Sequence, residues 1–156
     1  MFDLESRRYI GNKAKLTRWI MNIINEHTGG FSSFFDVFAG TASISKAAIP
    51  YADKIIMNDF LSSNNIIYKA FFAEGIYDMG KLYSIIEYYN SINPDSVKIT
   101  ISQTTSVISF FDYRNSKLIG YIREDIERRR NDLTPKEYAI LLASLIYSID
   151  KIANTV

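Results

Sequence analysis

Apolar residues along the chain recur first at helical spacing, then in short unbroken runs, then at helical spacing again. Between Lys13 and Glu26, Leu16, Trp19, Ile20, Ile23 and Ile24 follow three- and one-residue steps, which predicts a helix with these side chains on one face. Gly29-Gly30 is its stop signal. Ser33 to Phe38 is a short, mostly apolar run, suited to a strand buried on both faces. Ala39-Gly40-Thr41-Ala42 reads as a turn, and the small residues from Ser43 to Ile49 as a helix stopped near Pro50. Lys54 to Asp59 is a second strand. Strand, helix and strand so close together make a βαβ unit, whose strands are expected to be parallel with a right-handed crossover.

From Leu61 onward the pattern is mainly helical. Ile66, Ile67, Ala70 and Phe71 mark one stripe, and Leu82, Ile85, Ile86 and Tyr89 another. Val97 to Ile101 and Val107 to Phe111 read as short strand candidates. Ser116 to Arg130 predicts a helix with Leu118, Ile119, Ile122 and Ile126 inward and its charges outward. Thr134-Pro135-Lys136-Glu137 is a capping-box pattern with proline at the first helical position. It opens a helix expected to run to Asn154, lined by Ile140, Leu141, Ser144, Leu145, Ser148, Ile149 and Ile152.

Composition narrows the chemistry. The 156 residues are 47% hydrophobic and 22% charged, enough for one domain with a substantial core. The chain has no cysteine, which removes disulfides, Cys-type zinc sites and thiol nucleophiles. His27 is the only histidine, which removes multi-His metal sites and leaves little room for a Ser-His-Asp triad, so no metal is expected. Net charge is +1, but Arg7, Arg8, Lys13, Lys15 and Arg18 cluster without an acid among them, and Arg128-Arg129-Arg130 form a second basic run. Solvated helix surface is the plain reading of both. The N-terminus lacks a signal peptide's pattern, and no apolar stretch approaches the ~20 residues of a membrane helix. The chain reads as soluble and cytoplasmic.

The first 59 residues carry the candidate chemistry. In open parallel sheets, ligands sit outside the carboxyl ends of the strands. Here Asp36 and Gly40 follow the first strand, and a glycine lets a ligand approach the backbone closely. Asp59 ends the second strand nineteen residues after Gly40, near the offset at which an acid binds a ribose hydroxyl in nucleotide-binding sheets. The dinucleotide fingerprint fails, because Ala39 to Ile44 holds one glycine and a pyrophosphate needs a denser cradle. A nucleoside with a small charged arm, such as S-adenosylmethionine, suits the turn better. By spacing alone, Asp36 and Asp59 read more readily as ordinary strand-end turn residues.

Arg8-Tyr9-Ile10-Gly11-Asn12-Lys13, then Asp36-Val37-Phe38-Ala39-Gly40-Thr41-Ala42-Ser43, then Ile56-Met57-Asn58-Asp59 occur in that order. Together they resemble the Dam-like class of adenine-specific DNA methyltransferases of restriction–modification systems. In that family a Tyr/Trp-x-Gly-x-Lys segment precedes Asp/Glu-x-Phe-x-Gly-x-Gly/Ala-Ser and a strand ending in Asp. Leu142 to Leu145 and Asp150 to Thr155 also resemble a helix of this family, whereas residues 75 to 105 do not take part in the likeness. Asn12 departs mildly from the pattern, since many relatives have glycine there.

The resemblance implies an α/β fold: a Rossmann-like S-adenosylmethionine-dependent methyltransferase core, here with a partial sheet, and a helical insertion. Residues 1–60 would be the N-terminal part of the cofactor-binding core, and residues 61–156 the start of the DNA-recognition region. Tyr9 would pack on the methionine arm and Lys13 neutralise its carboxylate. Asp36, Phe38 and Gly40 would face the methionine moiety, Asp59 would accept from the ribose, and Phe60 would stack on adenine. Arg114, Lys117, Arg123, Arg128, Arg129 and Arg130 are candidate phosphate contacts on double-stranded DNA, interleaved with Glu124, Asp125 and Glu127.

The family's catalytic Asp/Asn-Pro-Pro-Tyr/Phe motif is absent. Pro50, Pro94 and Pro135 each stand alone, and Asn93-Pro94-Asp95-Ser96 lacks both the second proline and the ring. With two secure strands and an abrupt apolar end, the chain is expected to be the N-terminal part of a longer, split or decayed enzyme. A C-terminal half or second subunit would carry the catalytic motif. The rival readings are an RNA methyltransferase and a non-catalytic module binding DNA or a partner. A nucleotide-dependent oxidoreductase is more distant, given the single glycine.

Overall fold

The computed structural model describes residues 16–98 and 111–153, which fall into two compact units, Met1–Phe71 and Phe72–Val156. In the first unit, α1 (Thr17–Thr28) is followed by β1 (Ser33–Asp36), α2 (Ser43–Ala48), a 3-10 turn holding Pro50, β2 (Lys54–Met57) and α3 (Ser62–Phe71). Gly29 closes α1 in the left-handed conformation (φ 65°) that glycine adopts without a steric cost. The predicted parallel βαβ unit is present, with Ser33 opposite Lys54 and Asp36 opposite Met57.

Both strands alternate rather than being buried on both faces. Phe34 and Ile55 point to one side, where they pack with Met21, Ile44 and Ala48 of α1 and α2. Phe35 and Ile56 point to the other side and are exposed, Phe35 by 57%. The expectation of two-sided burial fails because both helices cover the same face. Trp19 and Leu16, expected on the buried face of the first helix, are exposed, and Met21 takes the inward position with Ile20 and Ile24 beside it. On α3 the buried face is Asn64, Ile67 and Tyr68, so Phe71 is exposed and two polar residues replace it inside.

The second unit is helical: α4 (Met79–Ser91), a 3-10 turn at Pro94–Ser96, α5 (Tyr113–Arg128), a 3-10 turn at Arg130–Asp132, and α6 (Pro135–Ile152). Its core is Leu82, Ile85, Tyr89, Ile126, Leu133 and Leu141. Each helix starts on a side-chain cap: Asp78 on Lys81 N, Asp112 on Asn115 N, and Thr134 on Glu137 N. Such caps are each worth about 1 kcal/mol. The capping box is reciprocal, because Glu137 Oε2 accepts the Thr134 amide at 2.9 Å. α6 buries Ala139, Ala143 and Tyr147 beside Leu141, and leaves Ser148 and Ile152, expected inward, exposed. The strand candidates at Val97–Ile101 and Val107–Phe111 lie largely outside the described residues. Among the described residues no helix is long and apolar enough to cross a membrane.

Candidate functional site

The carboxyl ends of the two strands are joined by more than the ladder. Beyond the last strand pair, Asn58 N donates to Asp36 O and Ala39 N donates to Asn58 O, both at 2.9 Å. The Asn58 side-chain amide adds a bond to Val37 O at 2.9 Å. These bonds bring the segment after β1 against the segment after β2. Asp59 then reaches across: its Oδ2 accepts the Gly40 amide at 2.8 Å, while Oδ1 accepts the Leu61 amide and the Asn64 Nδ2, each at 2.9 Å. Asp36 is turned toward α2, where the buried Ser45 hydroxyl donates to its Oδ2 at 2.7 Å.

The turn between β1 and α2 has an uncommon backbone. Gly40 has φ 55° and Ala42, a fully buried residue with a side chain, has φ 59°. An L-residue in the left-handed region is held there by its surroundings, and such positions concentrate at functional sites. Ala42 N bonds to Ala39 O at 2.7 Å and Lys46 N to Ala42 O at 2.8 Å, which close the turn and start the short helix. The backbone requirement explains why the resembling motif has Gly or Ala at this place: any larger side chain would add steric conflict.

Of the residues singled out in the sequence, Asp36, Phe38, Gly40, Asp59 and Phe60 meet at this end of the sheet. Phe38 is 76% and Phe60 97% exposed. Tyr9 and Lys13 lie outside the described residues. Asn64 and Tyr68 are part of the same constellation, although they were not singled out: Asn64 is 0% exposed, and Tyr68 OH donates to Gly40 O at 2.6 Å. Their signal was available as a polar residue and a tyrosine four apart, flanking Ile67 on one helix face.

Four of the basic candidates of the second unit pair with acids, three of them within four residues in sequence. Arg128 and Arg129 both pair with Asp125, at 3.3 and 2.6 Å, and Arg130 pairs with Glu127 at 3.1 Å. Arg114 pairs with Asp95 at 3.2 Å. Each guanidinium of the run also lies over a ring: Arg128 over Tyr121, Arg129 over Tyr88 and Arg130 over Tyr138, while the Lys117 ammonium lies over Tyr113. Asp125 is buried, contrary to the expectation of outward charges on this helix, because Arg129 and the Tyr89 hydroxyl satisfy it. Burial, then the Asp125 charge, raises the Tyr89 hydroxyl well above the ordinary tyrosine range. Asn93 Oδ1 caps Asp95 N at 3.0 Å, and so serves the Pro94 turn.

Elsewhere in that unit, Glu137 anchors the start of α6 to α4. Its carboxylate accepts Lys81 Nζ at 2.8 Å and the Asp78 amide at 2.9 Å, besides Thr134 N. The Lys81 bond, followed by the Thr134 and Asp78 amides, lowers its pKa to about 2. Among the described residues no group of three or more His, Cys, Asp or Glu side chains could hold a metal ion.

Comparison with known proteins gives this geometry a family. Residues 9–156 match the model for the D12 class N6 adenine-specific DNA methyltransferases. The chain is 30% identical over 151 residues to the type II methyltransferase M.CviAII of Paramecium bursaria Chlorella virus 1, covering 94% of this chain and 46% of that protein. It is 27% identical over 154 residues to the type II methyltransferase M.NlaIII of Neisseria lactamica, with 94% and 46% covered. It is 26% identical over 162 residues to the modification methylase LlaI of Lactococcus lactis, with 95% and 26% covered. The chain thus spans less than half the length of these relatives, and no solved structure matches it significantly. A match running from residue 9 to residue 156 makes the chain a member of the D12 class N6 adenine-specific DNA methyltransferase family.

Proposed function

We propose that this chain is the cofactor-binding part of a site-specific DNA adenine methyltransferase, and that S-adenosylmethionine binds at the carboxyl ends of β1 and β2. The observation that carries the proposal is the meeting of Asp36, Gly40 and Asp59 at those strand ends in a chain of this family. The donor set suits the cofactor. Asp59 is an acceptor for ribose hydroxyls, Phe60 offers a bare ring to adenine, and Asp36 is an anion near a cationic arm. Tyr9 and Lys13 complete the set, Lys13 by neutralising the carboxylate of the methionine arm and Tyr9 by packing along it.

When bound, S-adenosylmethionine supplies an already activated methyl group, so no metal is needed for the transfer. The residues of this chain bind and orient it. Their contribution is positional, because an in-line displacement requires the acceptor amine, the methyl carbon and the sulfur nearly collinear. The target adenine must leave the helix stack to reach that line.

The second half of the enzyme is proposed to come from further sequence or from a second subunit that carries the Asp/Asn-Pro-Pro-Tyr/Phe motif. The exposed sheet face formed by Phe35 and Ile56 supports this, because parallel sheets are normally covered on both faces. Arg114, Lys117, Arg128, Arg129 and Arg130 are proposed phosphate contacts on duplex DNA. Incubation with radiolabelled S-adenosylmethionine tests the reading. Transfer to adenine-containing duplex DNA is expected only once the complementary half is added. Robust transfer by the 156 residues alone would contradict the division of labour, and transfer to tRNA or ribosomal RNA instead of DNA would favour an RNA methyltransferase.

A further inference from the structure

The β1–α2 turn is held at both peptide groups of one residue, by Asp59 just before α3 and by Tyr68 of α3. Gly40 N donates to Asp59 Oδ2 at 2.8 Å, and Gly40 O accepts Tyr68 OH at 2.6 Å. Asp59 is itself oriented from α3, by Asn64 Nδ2 at 2.9 Å on its other oxygen. Asn64 and Tyr68 stand one helical turn apart, so both face the strand ends. Both are buried, at 0% and 5% exposure, so neither is positioned to touch a ligand broadly.

We propose that Asn64 and Tyr68 are positioning residues for the cofactor: they fix both peptide groups of Gly40 and thereby set the turn against which S-adenosylmethionine is held. This rests on the function proposed above and adds to it two residues outside the motifs. The physical argument is conformational. Gly40, with φ 55° and no Cβ, is the least constrained residue of the turn, so its peptide groups can rotate unless something external holds them. The Asp59 carboxylate holds the preceding peptide and the Tyr68 hydroxyl the following one. With either released, the turn samples other conformations, and binding must select the competent one, which lowers apparent affinity in proportion to its population. Asn64 acts one step removed, since it fixes the carboxylate that Gly40 binds.

The test is the affinity of the 156-residue chain for S-adenosylmethionine, measured by calorimetry well below the unfolding midpoint, together with hydrogen exchange at the Gly40 amide. Tyr68→Phe removes one oxygen and keeps the ring in its packing. It is expected to weaken binding roughly three- to tenfold, the loss of one hydrogen bond. The Gly40 amide should exchange faster while amides in α4 to α6 stay unchanged. Asn64→Ser, a second and independent variant, should weaken binding in the same direction. Tyr83→Phe, at an exposed tyrosine of α4, should leave both readouts as they are. A role confined to stability would lower the midpoint but leave the affinity of the folded protein alone. Unaltered affinity and Gly40 exchange in Tyr68→Phe, beside measurable binding by the parent, would overturn this inference and leave the proposed function standing. No binding by the parent would overturn both.

Discussion

Asp59 accepts the backbone amide of Gly40 at 2.8 Å, so the acid two residues beyond β2 closes onto the turn that follows β1. The two residues are nineteen apart in sequence, and the bond exists only because the parallel pairing of β1 and β2 puts Asp36 beside Met57. Among the described residues, the donors of Gly40, Leu61 and Asn64 converge on this carboxylate. In Asp59→Asn an NH2 group replaces one oxygen and must face at least one of those donors. The substitution should destabilise the first unit by about 1–3 kcal/mol. Denaturant titration followed by the fluorescence of Trp19, the single tryptophan and a residue of that unit, checks it.

Ala42 predicts an asymmetric response to size. At φ 59° and full burial it stands where glycine is conformationally at home and a branched residue is not. Ala42→Gly should remain within about 1 kcal/mol of the parent, relief of backbone strain offsetting the lost methyl contacts. Ala42→Val should cost roughly 2 kcal/mol or more, from crowding in the packed site and an unfavourable φ. Equal stability of the two variants would contradict the left-handed turn.

The Glu137 carboxylate predicts the acid limb of the second unit's stability. Its folded pKa is about 2, below its ordinary value of 4.5, so the ionised form is the one that folding favours. Its contribution is complete above pH 4.5 and is lost as the pH falls toward 2. Thermal unfolding across that window should show the parent and Glu137→Gln furthest apart above pH 5 and converging in acid. A difference that grows as the pH falls would contradict the ion pair with Lys81.

The basic run divides into structural and surface members. Arg129 serves the buried Asp125 at 2.6 Å, so Arg129→Gln should lower the stability of the second unit by about 1 kcal/mol or more. Arg128 and Arg130 have exposed side chains, and pairs of that kind contribute little to stability. In the intact enzyme, Arg128→Gln and Arg130→Gln should instead weaken DNA binding uniformly across sequences and reduce the salt slope by about one each. An unchanged salt slope in both would remove these residues from the DNA interface.

The turn at the strand ends was readable in the sequence because its geometry needs particular residue types: a glycine at the left-handed position 40, and an acid at position 59 to accept its amide. The helix caps were readable for the same reason, with Thr134 and Glu137 three apart forming both halves of the box. Burial was read less well. Apolar spacing alone put Trp19 and Phe71 inside, whereas the molecule buries Met21, Asn64 and Tyr68. The buried Asn64 is offset by its bond to Asp59, five residues earlier, which apolar spacing does not register. Asp125 escaped notice in the same way, since its burial depends on Tyr89, which is distant in sequence. The one-sided covering of the sheet depends on where α1 and α2 pack, and an apolar run of four to six residues does not reveal that.

The most direct test of the cofactor assignment is an amide chemical-shift titration of the 15N-labelled chain with S-adenosylmethionine. Saturable shifts are expected at residues 36–41 and 58–61 and at Tyr9 and Lys13, with α4 to α6 undisturbed. No shifts at millimolar ligand, or shifts confined to residues 79–152, would contradict that assignment.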